Sequence, residues 1–371
     1  MRTLLIALIL FAFCNKISVA QTTEFYLGST NNKSDTSLAF GVLDEKTGIL
    51  KLNNMLSTGT NPGYIALSED KKYLYTTSNE AYDNNEKVNK LKAFAIKDNG
   101  ASLNFLNEVS VNGSNPCHIS IAPNRKTVLS ANYSSGSINA YTLASDGSFD
   151  QQVYFKEYKA DSNIKKETVS HAHYFNSTQD GKYAYVADLG TDRINGYKIL
   201  SNGSIEPNTV QNFLSVKSGS GPRHMAFHKN NKFIFILNEL DATVISCAYN
   251  SSNGKLSIID TQPTLANPVD KNFPAAIRIA PNGKYLYASN RGANCLSVFR
   301  IKGDGSLKLI QQYYDNISRV RDFNITPSGK FIIAGNEDTN EVLLIDVDKK
   351  GKLSSTNQHF NMANPSCVAF Y

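Results

Sequence analysis

Apolar residues in this chain come in short runs that alternate with polar positions, and none is spaced as a helix would need. The runs are rich in β-branched and aromatic residues, as in Lys72-Tyr73-Leu74-Tyr75, Ser137-Ile138-Asn139-Ala140-Tyr141 and Ser297-Val298-Phe299-Arg300-Ile301. Such runs are half-buried strands. Clusters of Asn, Asp and Gly separate them, for example Asp146-Gly147-Ser148 and Gly303-Asp304-Gly305-Ser306. Those residues tolerate the left-handed backbone of a tight hairpin turn.

The runs recur with a period of about 45–55 residues, within the range of propeller blades. Successive units open at Asn61-Pro62-Gly63, Asn115-Pro116-Cys117, His171-Ala172-His173, Gly221-Pro222-Arg223, Phe273-Pro274-Ala275 and Val320-Arg321-Asp322. Each then reads strand, polar turn, strand, and two further strands. The ends complement each other. Glu24-Phe25-Tyr26-Leu27-Gly28 resembles a second strand lacking its first, and Asn364-Pro365-Ser366-Cys367-Val368-Ala369-Phe370 a first strand with nothing after it. The pattern predicts an all-β, seven-bladed propeller over residues 21–371. Its blades are four-stranded and antiparallel, and both termini close the last one. Two packed sandwiches would explain neither the period nor the split ends.

Residues 1–20 stand outside this pattern. A basic start, an apolar run from Leu4 to Phe13 and a Ser18-Val19-Ala20 ending predict a secretory signal peptide, cleaved to leave Gln21 first. The run is too short to span a bilayer, and bulky Phe13 before Cys14 argues against a lipoprotein. A periplasmic or secreted protein is expected, without a membrane span. With 41% hydrophobic and 19% charged residues the composition is globular, and the +6 net charge is scattered. No basic stripe suggests nucleic acid. Cys117, Cys247, Cys295 and Cys367 fit no metal motif and lie in strands of different repeats, so buried thiols are expected. The chain has 19 Tyr and no Trp, which excludes the Trp-Asp repeat signature.

In a blade the first strand lines the central channel and a hairpin returns the second. The start of the first and the end of the second therefore share a face. Position three of the opening motif holds Gly63, Cys117, His173, Arg223, Ala275, Arg321 and Ser366. The ends of the second strands hold Asn79, Tyr133, Leu189, Glu239, Arg291 and Glu337. One rim is thus expected to gather His173, Arg223, Glu239, Arg291, Arg321 and Glu337. Arg forks hold carboxylate or phosphate, and a carboxylate or His among them can move a proton. Preceding strand-end residues, Asn132, Asp188, Asn238, Asn290 and Asn336, are expected to bind turn backbone, with Asn238 and Asn290 also candidates for substrate contact. His118, His171 and His224 lie off this register and are expected to pack between blades. Asp192-Arg193 is expected to make a local turn and an inter-blade pair. No metal-ligand spacing, nucleophile elbow or phosphate loop occurs, so neither a metal nor a cofactor is expected.

The set His171-Ala172-His173, Val186-Ala187-Asp188-Leu189-Gly190-Thr191-Asp192-Arg193, Gly221-Pro222-Arg223-His224-Met225 and Leu237-Asn238-Glu239-Leu240, with Ser289-Asn290-Arg291-Gly292 and Asn336-Glu337-Asp338, resembles the propeller-type 6-phosphogluconolactonase family, which includes the carboxy-muconate lactonising enzymes. The resemblance covers nearly all of the mature chain. It implies metal-free hydrolysis of a sugar δ-lactone, with His173, Arg223, Glu239 and Arg291 as the functional residues and either His173 or Glu239 as the base. Export departs from the cytoplasmic pattern and points to an unphosphorylated aldonolactone or another cyclic ester. Two rivals are a muconate-type cycloisomerase and a non-catalytic envelope-binding propeller. Labelled water oxygen enters the product only in hydrolysis, and only the binding propeller turns over no lactone. A monomer or weak homodimer is expected.

Overall fold

The computed structural model describes residues 22–30, 37–59, 61–79, 88–159 and 169–371. The expected leader and its cleavage junction lie outside the described residues. Within them, seven antiparallel sheets follow one another around a central channel, each running from an inner strand outward. The closing blade, taken as blade 1, pairs Pro365–Phe370 with Thr22–Ser29, then Leu38–Asp44 and Ile49–Leu56. The two termini complete one sheet, as the split repeat predicts. Blade 4 departs slightly from the four-strand plan. Its outer strand Ile205–Pro207 is short, and Phe213–Ser215 continues the pairing along Arg193–Ile199. No helix among the described residues is long and apolar enough to cross a membrane.

The hairpin between first and second strands is built the same way around the ring. Lys71, Arg125 and Asn231 take φ near +60°, and Gly181, Gly283 and Gly329 fill the same slot. Asp70, Asn124, Asp180 and Asn230 side chains accept the backbone N–H two residues on, the Asx bond that makes these residues good turn formers. The core lies between blades. Ala226, Phe235, Leu237 and Val244 of blade 5 pack with Ile277, Leu286, Ala288 and Phe299 of blade 6. The tyrosines have a definite task there. Tyr26, Tyr75, Tyr185 and Tyr287 each pass a hydroxyl bond to a turn carbonyl of the next blade, at Gly100, Gly147, Gly254 and Gly351. Each latch joins two sheets that share no strand pairing.

One irregularity shapes the channel. In six blades the inner strand carries one extra residue opposite its partner, for instance Pro116↔Asn132 followed by His118↔Ala131. Such a bulge interrupts the alternation of faces. In five of these blades consecutive residues, the third and fourth of the opening motif, then both turn toward the channel. The fourth-position residues Tyr64, His118, Tyr174, His224, Asp322 and Cys367 line the channel cavities and pack across it. This corrects the expectation for His118 and His224, which face the channel rather than pack between blades. His171 does bridge two blades, stacked on Tyr133 with ring centroids 4.5 Å apart. The four cysteines among the described residues are free thiols, and of these only Cys117, at the channel mouth, is not fully buried.

Candidate active site

Six of the seven third-position residues, Gly63, Cys117, His173, Arg223, Arg321 and Ser366, line a single cavity of about 100 Å³ at one mouth of the channel. Arg223 is almost fully buried in its wall, 2% exposed. Its guanidinium leaves blade 5 and donates to the Ala275 carbonyl in blade 6 and to His224 Nε2. Small Ala275 at the matching position leaves room for this reach.

The same hairpin sets Glu239 opposite Arg223, since the Glu239 amide donates to the Gly221 carbonyl at 2.8 Å. Glu239 Oε2 lies 2.7 Å from Arg223 Nε, and Oε1 lies 2.9 Å from an Arg291 terminal nitrogen. One carboxylate therefore holds two guanidiniums from neighbouring blades. Arg291 is fixed at its own base by a bond from Nε to the Phe273 carbonyl at 3.1 Å. Glu239 and Arg291 are not in the cavity wall and join it through Arg223. Burial, and then the charge of neighbouring Arg291, push the Arg223 guanidinium down from its ordinary value, while Glu239 opposes the shift. The clamp is a buried cationic site only partly neutralised by its own carboxylate.

His173 enters the cavity from blade 4. Its Nδ1 is buried without a hydrogen-bond partner. Burial first, and Arg223 next, hold its pKa well below the usual imidazole value, so the ring is neutral at pH 7. The His224 ring lies 5.3 Å from it. His224 Nε2 accepts from Arg223, which leaves the proton on Nδ1, also unpartnered. Unpaired buried polar atoms are rare in folded proteins. Here they crowd one mouth, where Asn61 Oδ1, Asn79 Oδ1 and Arg223 Nε, which meets Glu239 as an ion pair only, add three more.

The remaining candidates divide. Arg321 lines the cavity, but its nearest carboxylate, Glu337, is 3.9 Å away. Glu337 sits closer to Arg319, at 3.0 Å, a residue that register reasoning did not single out. Asn238 and Asn290 are completely buried and bond within their own blades, to Thr243 and to Cys295, Ser297 and Asn272. Their place is behind the rim, supporting the strand ends that carry Glu239 and Arg291. Asp188 likewise accepts the backbone N–H of His171, Gly190 and Thr191. Asp192 accepts the N–H of Gly219 and Gly221 at 2.7 Å each and so fixes the segment leading into Arg223. Sequence reasoning passed over Tyr133, Asn61 and Asn79. The one available signal was that Tyr133 and Asn79 share the strand-end register of Glu239 and Arg291. Among the described residues no group of three or more His, Cys, Asp or Glu could hold a metal ion.

Residues 24–370 match the family model for the lactonase, 7-bladed beta-propeller. The chain belongs to this lactonase family. As a member it is a propeller of the lactone-hydrolysing, carboxylic ester hydrolase kind. It is 29% identical over 301 residues to a Bacillus subtilis protein named 6-phosphogluconolactonase, covering 80% of this chain and 83% of the relative. A protein of the same name from Formosa agariphila is 31% identical over 291 residues, or 77% and 81% of the two chains. The solved structure of a Lactobacillus plantarum protein superimposes with a TM-score of 0.84 at 29% identity, covering 94% of this chain and 99% of the other.

Proposed function

We propose that this chain is an exported lactonase that hydrolyses an unphosphorylated aldono-δ-lactone at the mouth holding His173, Arg223, Glu239 and Arg291. The observation that carries the reading is the Glu239 carboxylate ion-paired with two guanidiniums beside a neutral, unpartnered imidazole. Arg223 receives the negative charge that develops on the lactone carbonyl oxygen, where preorganised donors act most strongly, and Arg291 adds its positive field from behind. Glu239 orients both guanidiniums and is tied up in doing so. That leaves His173 as the base. It takes a proton from water as the water oxygen attacks the carbonyl carbon. The tetrahedral intermediate collapses by breaking the bond from carbon to ring oxygen, and His173 returns the proton to that oxygen. The product is the open hydroxy acid. The oxyanion also offsets the positive field that depresses His173, so proton uptake and oxyanion formation favour each other. General acid–base help of this kind contributes about 10²–10⁴-fold.

Charge favours the unphosphorylated substrate. Arg223 and Arg291 against Glu239 leave one net positive charge, enough for an oxyanion. Arg319 and Arg321 are balanced by Glu337 and Asp338. A phosphate dianion would call for more positive charge than this rim leaves over. The leader-like residues 1–20 agree, because phosphorylated sugars are intracellular compounds. The test is a panel of lactones with the purified mature protein, D-glucono-1,5-lactone and its 6-phosphate included. The expected result is higher kcat/KM for the unphosphorylated compound and uptake of labelled water oxygen into the acid. Preference for the phosphate ester would overturn the substrate assignment, and no turnover of any lactone would overturn the activity.

A further inference from the structure

Tyr133 has no part in the mechanism above, yet it occupies the same rim. It follows the second strand of blade 3, Thr127–Asn132, in the register that carries Glu239 in blade 5 and Arg291 in blade 6. Its backbone is pinned. Its N–H donates to the Asn115 carbonyl at 2.9 Å, and its carbonyl accepts from Gly136 N–H. A carbonyl can only accept, so the His171 Nδ1 that lies 3.0 Å from the Tyr133 oxygen carries the proton. The His171 ring lies flat on the phenol ring, with centroids 4.5 Å apart and planes 13° from parallel. On its other flank Tyr133 meets His173 edge to face, at 5.4 Å. The ring is therefore held on two sides by residues of blade 4. Its hydroxyl, by contrast, is bonded to none of the described residues. A half-buried phenol held this firmly, with its ring against the base and its hydroxyl free, is a donor awaiting an acceptor.

We propose that Tyr133 is a further catalytic residue, whose hydroxyl donates a hydrogen bond to the carbonyl oxygen of the bound lactone, with His171 as its positioning residue. The inference rests on the lactonase reading. The acceptor must lie next to His173, which delivers water to the carbonyl carbon, and within reach of Arg223. Tyr133 adjoins the first. Its hydroxyl also lies within the electrostatic influence of Glu239, Arg223 and Arg291. Burial, followed by the Glu239 charge, raises its pKa, so the phenol stays protonated and acts as a donor rather than a base. A neutral donor also adds to the oxyanion site without the self-repulsion that a third guanidinium would bring.

Tyr133→Phe removes the hydroxyl and keeps the ring. With D-glucono-1,5-lactone the variant is expected to lose about 10²-fold in kcat, the usual cost of one oxyanion donor, with KM within threefold and Tm unchanged. His171→Ala is expected to lower kcat in the wild type but to add nothing in the Tyr133→Phe background. A Tyr133→Phe enzyme with both constants within twofold of wild type overturns the proposal. Failure of the lactonase reading is seen separately, as a wild type that opens no sugar lactone. Calorimetric binding of D-gluconate then decides. Tenfold weaker binding by Tyr133→Phe supports the hydroxyl contact. Equal binding, or none by either protein, overturns it.

Discussion

Glu239 is tied to Arg223 twice, once through the chain and once through the side chain. The Glu239 amide meets the Gly221 carbonyl at 2.8 Å, and its carboxylate lies 2.7 Å from Arg223 Nε. The backbone bond fixes the register of the hairpin, and the register delivers the ion pair. Glu239→Gln keeps the shape but removes the charge that holds two guanidiniums. It is expected to lower kcat/KM by about 10²–10³-fold, in the range of a lost electrostatic contact in a preorganised site. Removing one partner of a buried pair leaves the other uncompensated. A stability loss of about 1–3 kcal/mol is therefore expected, given that Glu239 is partly exposed and Gln still accepts a bond. Steady-state kinetics and urea unfolding check both. Activity within threefold of wild type would remove Glu239 from the site.

Gly292 follows Arg291 with φ at +117°, and a Cβ there would sit 2.1 Å from the Lys271 carbonyl oxygen. Both the conformation and the contact exclude a side chain, and backbone cannot move aside as a flexible side chain would. Gly292→Ala is expected to cost at least about 1 kcal/mol and to displace Arg291 from Glu239. The measurable result is a fall in kcat/KM together with a lower Tm. An alanine variant with native Tm and rate would mean that the turn does not govern the Arg291 position.

The blade count, the split closing blade and the clustering at the rim were legible in the sequence because each depends on period and register. Glycine-rich turns and alternating strands announce hairpins, and hairpin phase places Arg223 and Glu239 at one mouth. The roles of His118 and His224 were not legible. Alternation puts the residue after a channel-facing one into the inter-blade core, and only the bulge reverses this. A bulge leaves no composition of its own to read. Asn238 and Asn290 erred in the other direction. Register brought them near the mouth, but burial turned their amides to Thr243 and Ser297. Tyr133 stood in the right register, but nothing in the sequence announces that its hydroxyl lacks a partner.

Arg321 lines the cavity while staying 31% exposed and 3.9 Å from its nearest carboxylate. Among the arginines of this mouth it is the most loosely paired, which suits contact with the polar end of a substrate. Arg321→Gln is expected to raise KM about tenfold with kcat nearly unchanged, the signature of lost ground-state binding. A fall in kcat at constant KM would move Arg321 to the reacting atoms instead.

Acid should weaken this protein through its histidines. His118, His173 and His224 are buried, and all three are held well below the ordinary imidazole value, chiefly by burial. Their folded-state affinity for protons is thus lower than in the unfolded chain, where a histidine titrates near 6.5. Above that pH neither state binds the proton, and the full stability is present. Below it the unfolded chain takes up protons that the native channel refuses, so stability falls as pH falls. Each such histidine contributes a slope of about 1.4 kcal/mol per pH unit, or about 4 kcal/mol per unit for the three together. Urea unfolding at pH 7.5 and 5.5 should show a large loss at the lower pH. His118→Asn, which removes one titrating ring from the channel, should reduce the slope by about a third. An unchanged slope would mean that His118 takes its proton in the folded channel as readily as in the unfolded chain. The same depression keeps His173 in its basic form, so the acid limb of kcat/KM should lie below the ordinary imidazole value. A limb at the ordinary value of about 6.5 would contradict the depression of His173 by burial and Arg223.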